Sequence, residues 1–432
     1  MADFLRLLRG NRNYRLTWTG QIVSEVGDHF NNIAVFALVL DQTHSGLAVS
    51  GVMLARAVGI LVAGPVAGVL LDRFDRRRIM ILSDLVRAVI ALVFIAAIGR
   101  ETTWLLLLLN ALLMFASPFF TSGRAAILPV IATEKELHTA NSLTQTTQWT
   151  NVALGAFLGG AVSKNFGYSV AFIFNASSFL VSAVCIALLR VPPGESFTAE
   201  RKDLSEDRVA RPWREYLEGL RYMGRTPLIL GIALVGVGWA TGGGAAQILF
   251  SLFGEVVFER GAAGIGEVWG CAGLGLIAGG VISNAWGKRL GFEGYKRLIV
   301  LCYIVHGGSY VLFSISQSYA AALFFIGVSR LAVAVSSVLN FSRVLRHVPD
   351  SYRGRVFSTM ESMVWATMML SMLGAGVASE SVSPRLIGVV SGALSSTTAL
   401  FWGWAHWSGK LPEPPMEGVE PHEVEIHGEA NV

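Results

Sequence analysis

Polar residues follow one another at helical spacing through the first long apolar segment of the chain. They are separated by four, three, four and three positions, which places them on one face of a helix: Thr17, Gln21, Ser24, Asp28 and Asn31. Glu25 and His29 flank this stripe. An ionisable group inside an apolar segment is costly and is therefore a functional candidate by default.

Two kinds of chemistry follow from this stripe. We predict that Asp28 exchanges a proton, with Glu25 and Glu361 as the next candidates. A structural hydrogen bond from Asp28 to a neighbouring helix is the alternative. The amide and hydroxyl groups of the stripe predict a helix that lines a water-filled cavity and contacts a substrate there: Gln21, Ser24 and Asn31.

Two later segments carry polar groups in comparable patterns. One has four amides on a single face, which predicts further hydrogen bonds to a substrate: Asn141, Gln145, Gln148 and Asn151. In another segment Glu361 is followed at helical spacing by Trp365, Met368 and Met372. A carboxylate beside flexible apolar surface suits a cationic or amphipathic ligand, although ordinary helix packing is the preferred explanation for the methionine and tryptophan stripe. Asp84 and Arg87 are three positions apart, which predicts a structural role in which they pair with each other or with the charged turn after the second span.

The elements that position these residues are membrane-spanning helices. Hydrophobic residues make up 53% of the chain and charged residues 15%, against roughly 45–50% and about 25% in soluble domains. Several continuously apolar runs approach or exceed the ~20 residues that a helix needs to cross a bilayer. They lack the alternation of membrane barrel strands. We predict an all-α membrane protein with twelve transmembrane helices near 14–40, 46–70, 79–99, 103–123, 138–162, 168–190, 227–253, 264–286, 297–315, 319–342, 355–379 and 385–407.

Polar stretches divide the chain into two halves. A stretch with paired prolines and mixed charges follows the sixth span and predicts a linker with a short surface helix at Trp213–Met223. The tail from Gly409 is acidic, contains prolines and is predicted to be disordered. The predicted organisation is an amino-terminal six-helix bundle (1–190), a linker (191–226), a carboxy-terminal six-helix bundle (227–407) and a tail (408–432).

Basic residues lie mainly on one side of the predicted membrane. Of the 34 Lys and Arg, only four lie in the loops of the other side: Arg100, Lys164, Arg260 and Arg385. The positive-inside rule then places both termini and the linker in the cytoplasm, and the protein in the cell's inner (cytoplasmic) membrane. The basic side faces anionic lipid heads, so no nucleic acid is expected. The first residues lack the pattern of a cleavable signal peptide, and the spacing of the three cysteines predicts no metal site.

A charged turn after the second span has a counterpart six spans later. Gly68-x-x-x-Asp72 is followed by Arg73, Arg76 and Arg77, and Gly280-x-x-x-Asn284 is likewise followed by basic residues. This echo indicates a duplication into two six-helix repeats around a central cavity, as in transporters built from repeats.

These motifs resemble those of the major facilitator superfamily. Gly68-x-x-x-Asp72-Arg73-x-x-Arg76-Arg77 is similar to its motif A. "NVALGAFLGG" over residues 151–160 resembles the antiporter motif of its exporters, with Gly155–Ala156 where a glycine–proline pair is usual. "NYRLTWTGQIVSEVGD", "SDLVRA" and "FNASSFL" are similar to the drug/proton antiporter subfamily, which includes macrolide-efflux proteins, enterobactin exporters and lysophospholipid transporters.

The resemblance implies a conformational clasp. In the family fold the aspartate of motif A, here Asp72, faces the start of span eleven, which carries Arg353 and Arg355. The free N–H groups of a helix start favour a carboxylate, so this contact would hold the two halves together on the cytoplasmic side. Gly64 and Gly68 would let span two approach a neighbouring helix closely. The alternative is that the cluster only anchors the turn at the membrane surface.

The resemblance also implies which groups surround the cavity. Spans one, four, seven and ten line it in the family fold, and Arg330 lies in the middle of span ten. Arg330 would pair with Asp28 or Glu25 across the cavity, bind an anionic part of the substrate, or form a purely structural ion pair. The resemblance assigns three glycines to the antiporter-motif helix: Gly155, Gly159 and Gly160.

The expected function is that of a secondary transporter and not an enzyme. We expect a monomeric, proton-coupled exporter of small amphipathic molecules that works by alternating access. No Walker sequence is present, so the expected energy source is a proton gradient, with no bound cofactor or metal. A lysophospholipid transporter that does not need Asp28 is one alternative. A non-transporting membrane scaffold or sensor is another, which the polar stripes disfavour.

Overall fold

The protein is a bundle of long helices. The computed structural model describes residues 2–99, 102–191, 196–198 and 212–414. This part of the chain forms fourteen α-helices: α1 (Ala2–Gly10), α2 (Arg12–Thr43), α3 (Gly46–Arg73), α4 (Arg76–Val93), α5 (Thr103–Ile131), α6 (Glu134–Phe166), α7 (Tyr168–Ala187), α8 (Pro212–Arg225), α9 (Pro227–Leu252), α10 (Gly261–Trp286), α11 (Phe292–Ile315), α12 (Tyr319–His347), α13 (Asp350–Ala378) and α14 (Pro384–Trp407).

Twelve of these helices have the length of a membrane span. Ten of them are apolar enough to cross a bilayer. The other two, α2 and α6, are longer, at 32 and 33 residues, and carry the polar patterns that the sequence displays. The all-α, twelve-span fold predicted from the sequence is thus confirmed. The two short helices are α8, which confirms the predicted surface helix of the linker, and α1, which the sequence analysis did not separate from span one.

Short polar residues start the helices and make the turns between them tight. The side chains of Asn11, Ser45 and Asp75 each accept a hydrogen bond from a backbone N–H three residues later, at the starts of α2, α3 and α4. This satisfies a donor that the helix itself leaves free. At the start of α6, Thr133 and Glu136 form a capping box. These turns fix the antiparallel order of successive helices.

The linker helix α8 and the start of the tail both pack on the carboxy-terminal half. Tyr222 of α8 stacks on Tyr352 of α13, with 4.9 Å between ring centroids. In the tail, Leu411 is buried and Glu413 pairs with Arg343 at 3.4 Å. The prediction of a disordered tail from Gly409 is therefore wrong for residues 409–414, because Leu411 finds an apolar site. The residues from 415 onward lie outside the described part.

The halves α2–α7 and α9–α14 contact each other toward the ends of the helices farther from α1 and α8. On α3 and α13, the Ser50 hydroxyl donates to the Met372 carbonyl at 3.0 Å. Glu380, just after α13, accepts hydrogen bonds from the Ser45 hydroxyl at 2.6 Å and from the Leu47 N–H at 3.4 Å. We call this end of the molecule the far end and the end that carries α1 and α8 the near end.

At the near end α3 and α13 diverge. A Cβ placed on Gly68 of α3 or on Gly354 of α13 would meet no atom within 4 Å. The α3–α13 side of the interface is therefore closed at the far end and open at the near end, whereas α6 and α10 stay in contact from Gly160 to Trp149.

Candidate functional site

A cavity of about 250 Å³ lies between the two halves, below the closed far end. Six helices contribute to its wall, three from each half: α2, α3 and α6, and α9, α10 and α13. The residues that line it are His29, Asn32, Ile33, Phe36, Met53, Arg56, Ala57, Ile60, Ala156, Gln247, Trp269, Trp365 and Met372. The wall is mainly apolar and aromatic, with a few polar groups, which is the usual character of a small-molecule site.

The charged group of this cavity is Arg56 of α3. Its guanidinium donates a hydrogen bond to the side-chain oxygen of Asn32 on α2. Arg56 was not among the functional residues predicted from the sequence. The signal that could have found it was its basic character at mid-span, since such groups face a cavity or a partner.

Glu25 is held by side chains from three helices. Its carboxylate pairs with Arg124 of α5 at 3.4 Å and accepts hydrogen bonds from Asn151 of α6 and Gln21 of α2, each at 2.8 Å. Glu25 lies one turn before His29, so it continues the cavity-lining face of α2 toward the near end. Arg124 was missed because the predicted fourth span ended at residue 123, whereas α5 continues to Ile131.

The predicted stripe on α2 does not line the cavity. Three of its members are almost fully buried, with exposed fractions of 1%, 3% and 0%: Gln21, Ser24 and Asn31. Gly20 and Gly27 lie on this side of α2. A Cβ on Gly27 would collide with Ser178 of α7, and a Cβ on Gly20 would lie 3.3 Å from the Cβ of Cys185 on the same helix. The stripe is therefore pressed into the amino-terminal half, and the adjacent face, with Glu25, His29 and Asn32, meets the cavity.

Asp28 lies at the boundary between these two faces. Its Oδ1 atom is buried and receives no hydrogen bond from the described residues. The positive charges that act on it most strongly are those of Arg87 and Arg56. An ionised oxygen in such a position lacks the compensation that buried charges need.

Arg330 does not reach across the cavity. Its guanidinium lies over the rings of Phe250, at 4.9 Å, and Tyr310, at 6.0 Å. Within the described ranges it has no carboxylate partner, so the predicted pairing with Asp28 or Glu25 is wrong in this structure. The reason is that Gly275 brings α10 very close to the backbone of α12 and Phe250 packs against the cavity residue Trp269. Arg330 is therefore behind the cavity wall.

Asp84 and Arg87 form the structural pair that their spacing predicts. Both are buried, and an Arg87 Nη2–Asp84 Oδ1 contact joins them within α4. The guanidinium also lies over the rings of Phe120 and Phe179 at 4.8 and 4.4 Å. This pair explains how a charged residue is retained inside the amino-terminal half.

The glycines of α6 allow close packing on two sides. Cβ atoms on Gly155 and Gly159 would collide with His29 and Phe30 of α2. A Cβ on Gly160 would lie 2.8 Å from the Ala262 carbonyl and 3.0 Å from Gly266 Cα, both on α10 of the other half. The antiporter-motif helix is thus a close-packing face.

The other predicted residues of α6 have different positions. Asn151 donates a hydrogen bond to Glu25 at 2.8 Å, so its amide is engaged within the amino-terminal half. Gln148 is partly buried and is absent from the cavity lining. The side chain of Gln145 lies outside the described part of the structure.

Trp365 is a cavity residue, and Glu361 lies one turn nearer to the opening. The Trp365 side chain is 48% exposed and lines the cavity together with Met372. Glu361 is exposed on the same face of α13. Met368 is buried, in keeping with its preferred explanation as a packing residue.

The predicted clasp is not formed in this conformation. Asp72 is exposed and has no ion-pair partner among the described residues. Arg355 pairs instead with Glu218 of α8 at 3.1 Å, and Arg353 donates to the Val348 and Leu345 carbonyls. The near end is open, so α3 and α13 are too far apart for the contact.

The basic residues of motif A bind within their own half. Arg76 donates to the Ala126 carbonyl of α5 at 3.1 Å, and Arg77 donates to the Ile186 carbonyl of α7 at 3.2 Å. Arg73 is exposed. The close approach predicted for Gly64 and Gly68 is also not present, because no atom would lie within 4 Å of a Cβ at either position. The close contact of α3 is at Gly59, against the Ala111 carbonyl of α5.

Comparison with known proteins decides the family. The sequence pattern described as Major Facilitator Superfamily matches residues 17–363. The chain belongs to the major facilitator superfamily. It is a membrane transporter and not an enzyme, and the resemblance noted in the sequence is confirmed.

Two relatives and one solved structure illustrate the likeness. The putative bacilysin exporter BacE of Bacillus subtilis (strain 168) is 24% identical over 393 residues, which cover 89% of this chain and 93% of that protein. Macrolide efflux protein A of Streptococcus pyogenes is 22% identical over 388 residues, covering 87% and 92%. The crystal structure of a bacterial homologue of the human lysosomal transporter Spinster has a TM-score of 0.67 at 15% identity, covering 92% of this chain and 97% of that one. The structural likeness shows the shared major facilitator fold.

Proposed function

We propose that this major facilitator protein is a proton-coupled exporter of small amphipathic molecules that works by alternating access. One observation carries the proposal: a small, mainly apolar cavity with a few polar groups lies between two halves that touch at the far end and diverge at the near end. A substrate enters such a cavity from the open end and leaves after the halves rock about it. The relatives BacE and macrolide efflux protein A are named as an exporter and an efflux protein, which supports the direction of transport.

The orientation in the membrane is part of the proposal. The distribution of basic residues favours cytoplasmic termini and a cytoplasmic linker in the inner membrane. The near end, which carries α1 and α8, is then the cytoplasmic end, and the structure represents a conformation open to the cytoplasm. We propose that the protein works as a monomer, since one chain supplies both halves of the cavity, and that a proton gradient is its energy source.

Two carboxyl groups are candidates for the coupling proton. Glu25 lies on the cavity face of α2, where water from the open end reaches it, and its charge is balanced by Arg124. Asp28 lies deeper, with a carboxylate oxygen that accepts no hydrogen bond in the described structure. The geometry favours Glu25, because protonation would release Arg124 and so change the contacts among α2, α5 and α6. Asp28 is the second candidate.

A transport assay with matched neutral variants tests this assignment. The first step is a thermal-stabilisation screen of purified protein against amphipathic drugs, catecholate siderophores and lysolipids. The ligand that stabilises is then used in proteoliposomes with and without an imposed pH gradient. Glu25→Gln, which removes the titrating group, is expected to keep exchange down a substrate gradient and to lose accumulation driven by the pH gradient. Asp28→Asn serves as the matched comparison.

The possible results separate the candidates. Loss of accumulation only in Asp28→Asn would move the coupling proton to Asp28. Full accumulation by both variants would overturn proton coupling through these groups. Movement of lysolipid between leaflets that ignores the pH gradient would overturn the exporter proposal in favour of a lipid transporter. Thermal unfolding of each variant shows whether a loss comes from misfolding.

A further inference from the structure

The positive charge of the Arg56 guanidinium in the cavity is not neutralised by an ion pair with a described residue. The guanidinium lines the cavity from α3 and is partly exposed to it. Its hydrogen bond goes to the neutral side chain of Asn32. No carboxylate of the described residues lies within 4 Å of it. By contrast, five other arginines at helix–helix contacts each have a carboxylate, a carbonyl or an aromatic ring as a partner: Arg76, Arg87, Arg124, Arg330 and Arg355.

The nearby acids are directed elsewhere. Glu25 is engaged by Arg124 and Asn151. Asp28 acts on Arg56 electrostatically but is beyond ion-pair distance and belongs to the boundary with the buried face of α2. Glu361 is outside the cavity lining, toward the opening. A guanidinium in a mainly apolar cavity is costly when no carboxylate is within ion-pair distance.

The other polar groups of the cavity add donors. The Trp269 Nε1–H is buried and has no acceptor among the described residues, and an indole can only donate. Gln247 of α9 and His29 of α2 complete the polar lining. Among the residues that the structure describes, the lining contains no Asp or Glu. A ligand that suits this set presents acceptors and negative charge.

The remaining lining residues indicate the shape and polarity of the ligand that the cavity fits. Phe36, Trp269 and Trp365 supply aromatic surface, with Ile33 and Met372 beside them. A volume of about 250 Å³ is at the lower end for ligand pockets, which typically measure ≈ 300–1,000 Å³. The ligand is therefore compact, with a flat apolar part.

We propose that the cavity binds a compact amphipathic anion, with a carboxylate or similar planar acid on Arg56 and an aromatic or apolar body between Trp269 and Trp365. The planar fork of a guanidinium matches a carboxylate with two parallel hydrogen bonds. This inference rests on the proposed function and narrows its substrate class. It differs from the expectation of a cationic ligand that Glu361 suggested, because Glu361 lies outside the lining and Arg56 lies in it.

Binding of two probes with one body and opposite charges tests the inference on the purified full chain. The probes are 2-naphthoate and 2-naphthylmethylammonium, and isothermal titration calorimetry measures their affinity in detergent. We expect the parent protein to bind 2-naphthoate at least about tenfold more tightly than the cation. Arg56→Gln is expected to weaken 2-naphthoate by about tenfold or more and to leave the cation unchanged or improved. Arg56→Lys keeps the charge but loses the planar fork, so an intermediate loss is expected.

Matched controls separate this effect from changes in overall charge or folding. Arg78→Gln removes an equal charge at the surface, where the side chain is 87% exposed, and should leave both affinities unchanged. If Arg56→Gln does not fold, Arg56→Lys and the comparison of the two probes in the parent still test whether the cavity binds an anion through Arg56. Equal affinities of the parent for both probes, or unchanged 2-naphthoate binding in a folded Arg56 variant, would overturn the inference.

Failure of the inference can be told apart from failure of the proposed function. Calorimetry measures binding without transport. If 2-naphthoate binds in an Arg56-dependent way but proteoliposomes show no pH-driven movement, the absence of movement would overturn only the proposed function, and the anion site would stand. Conversely, pH-driven transport of a cation by both the parent and Arg56→Gln would leave the exporter in place and overturn the anion site.

Discussion

Gly160 is the position at which a single methyl group should change the conformational equilibrium. Gly160 of α6 faces α10 of the other half. A Cβ there would lie 2.8 Å from the Ala262 carbonyl oxygen and 3.0 Å from Gly266 Cα. Both are backbone atoms and cannot rotate aside, so in Gly160→Ala the two helices must move apart. This contact belongs to the closed far end, so the cost falls on the conformation described here.

The size of the effect follows from the cost of overpacking. Inserting a methyl group into a well-packed contact typically costs about 1–3 kcal/mol. That corresponds to a shift of roughly 5- to 150-fold in a two-state equilibrium. The gain in helix propensity from Gly to Ala, about 1 kcal/mol, applies to both conformations and cancels. We expect Gly160→Ala to move the population from closed to open at the far end.

Distances between spin labels, measured by double electron–electron resonance, report this shift. The three native cysteines, Cys185, Cys271 and Cys302, are first replaced by alanine. Labels at exposed positions Lys164, near the end of α6, and Glu259, just before α10, then report the separation of the halves at the far end. A second, longer distance should appear or grow in Gly160→Ala.

The control for this experiment is another helical glycine. A Cβ on Gly308 of α11 would meet no atom within 4 Å, so Gly308→Ala has the same gain in helix propensity without the collision. Its distance distribution should equal that of the parent. If folded Gly160→Ala also gives the parent distribution, the contact between α6 and α10 does not hold the far end closed and the reasoning is refuted.

Two further predictions concern the near end and the orientation. Asp72→Asn removes the charge that the clasp needs, so near-end distances should shift further toward the open state; unchanged populations would leave Asp72 a residue of the surface turn alone. A reporter fused at Val432 should read cytoplasmic and one inserted at Gln317 should read external, by alkaline phosphatase and fluorescent protein fusions. An external reading at Val432 would contradict the proposed orientation.

Local and periodic features were predictable from the sequence. The number of spans follows from the length of apolar runs, because a helix needs about 20 residues to cross a bilayer and tertiary contacts cannot change that requirement. The pairing of Asp84 with Arg87 follows from their spacing of three, which brings them together on any helix.

The direction of each helix face was decided only by the tertiary structure. Periodicity shows that Gln21, Ser24 and Asn31 share a face, but a polar face of a helix in a bundle can meet either a cavity or a neighbouring helix. Gly20 and Gly27 settle the choice on α2 by admitting α7 so closely that the polar stripe is buried.

Pairs between distant segments were beyond the sequence for the same reason. Glu25 and Arg124 are 99 positions apart. Arg56 and Arg330 are both arginines within spans, and only the packing of their helices places Arg56 in the cavity lining and Arg330 behind it. The sequence by itself determined twelve helices and which of their polar residues share a face, because these depend on local composition and on the 3.6-residue period. The cavity, its unbalanced guanidinium and the closed far end were decided by how the two halves pack, since that depends on surfaces brought together from the whole chain.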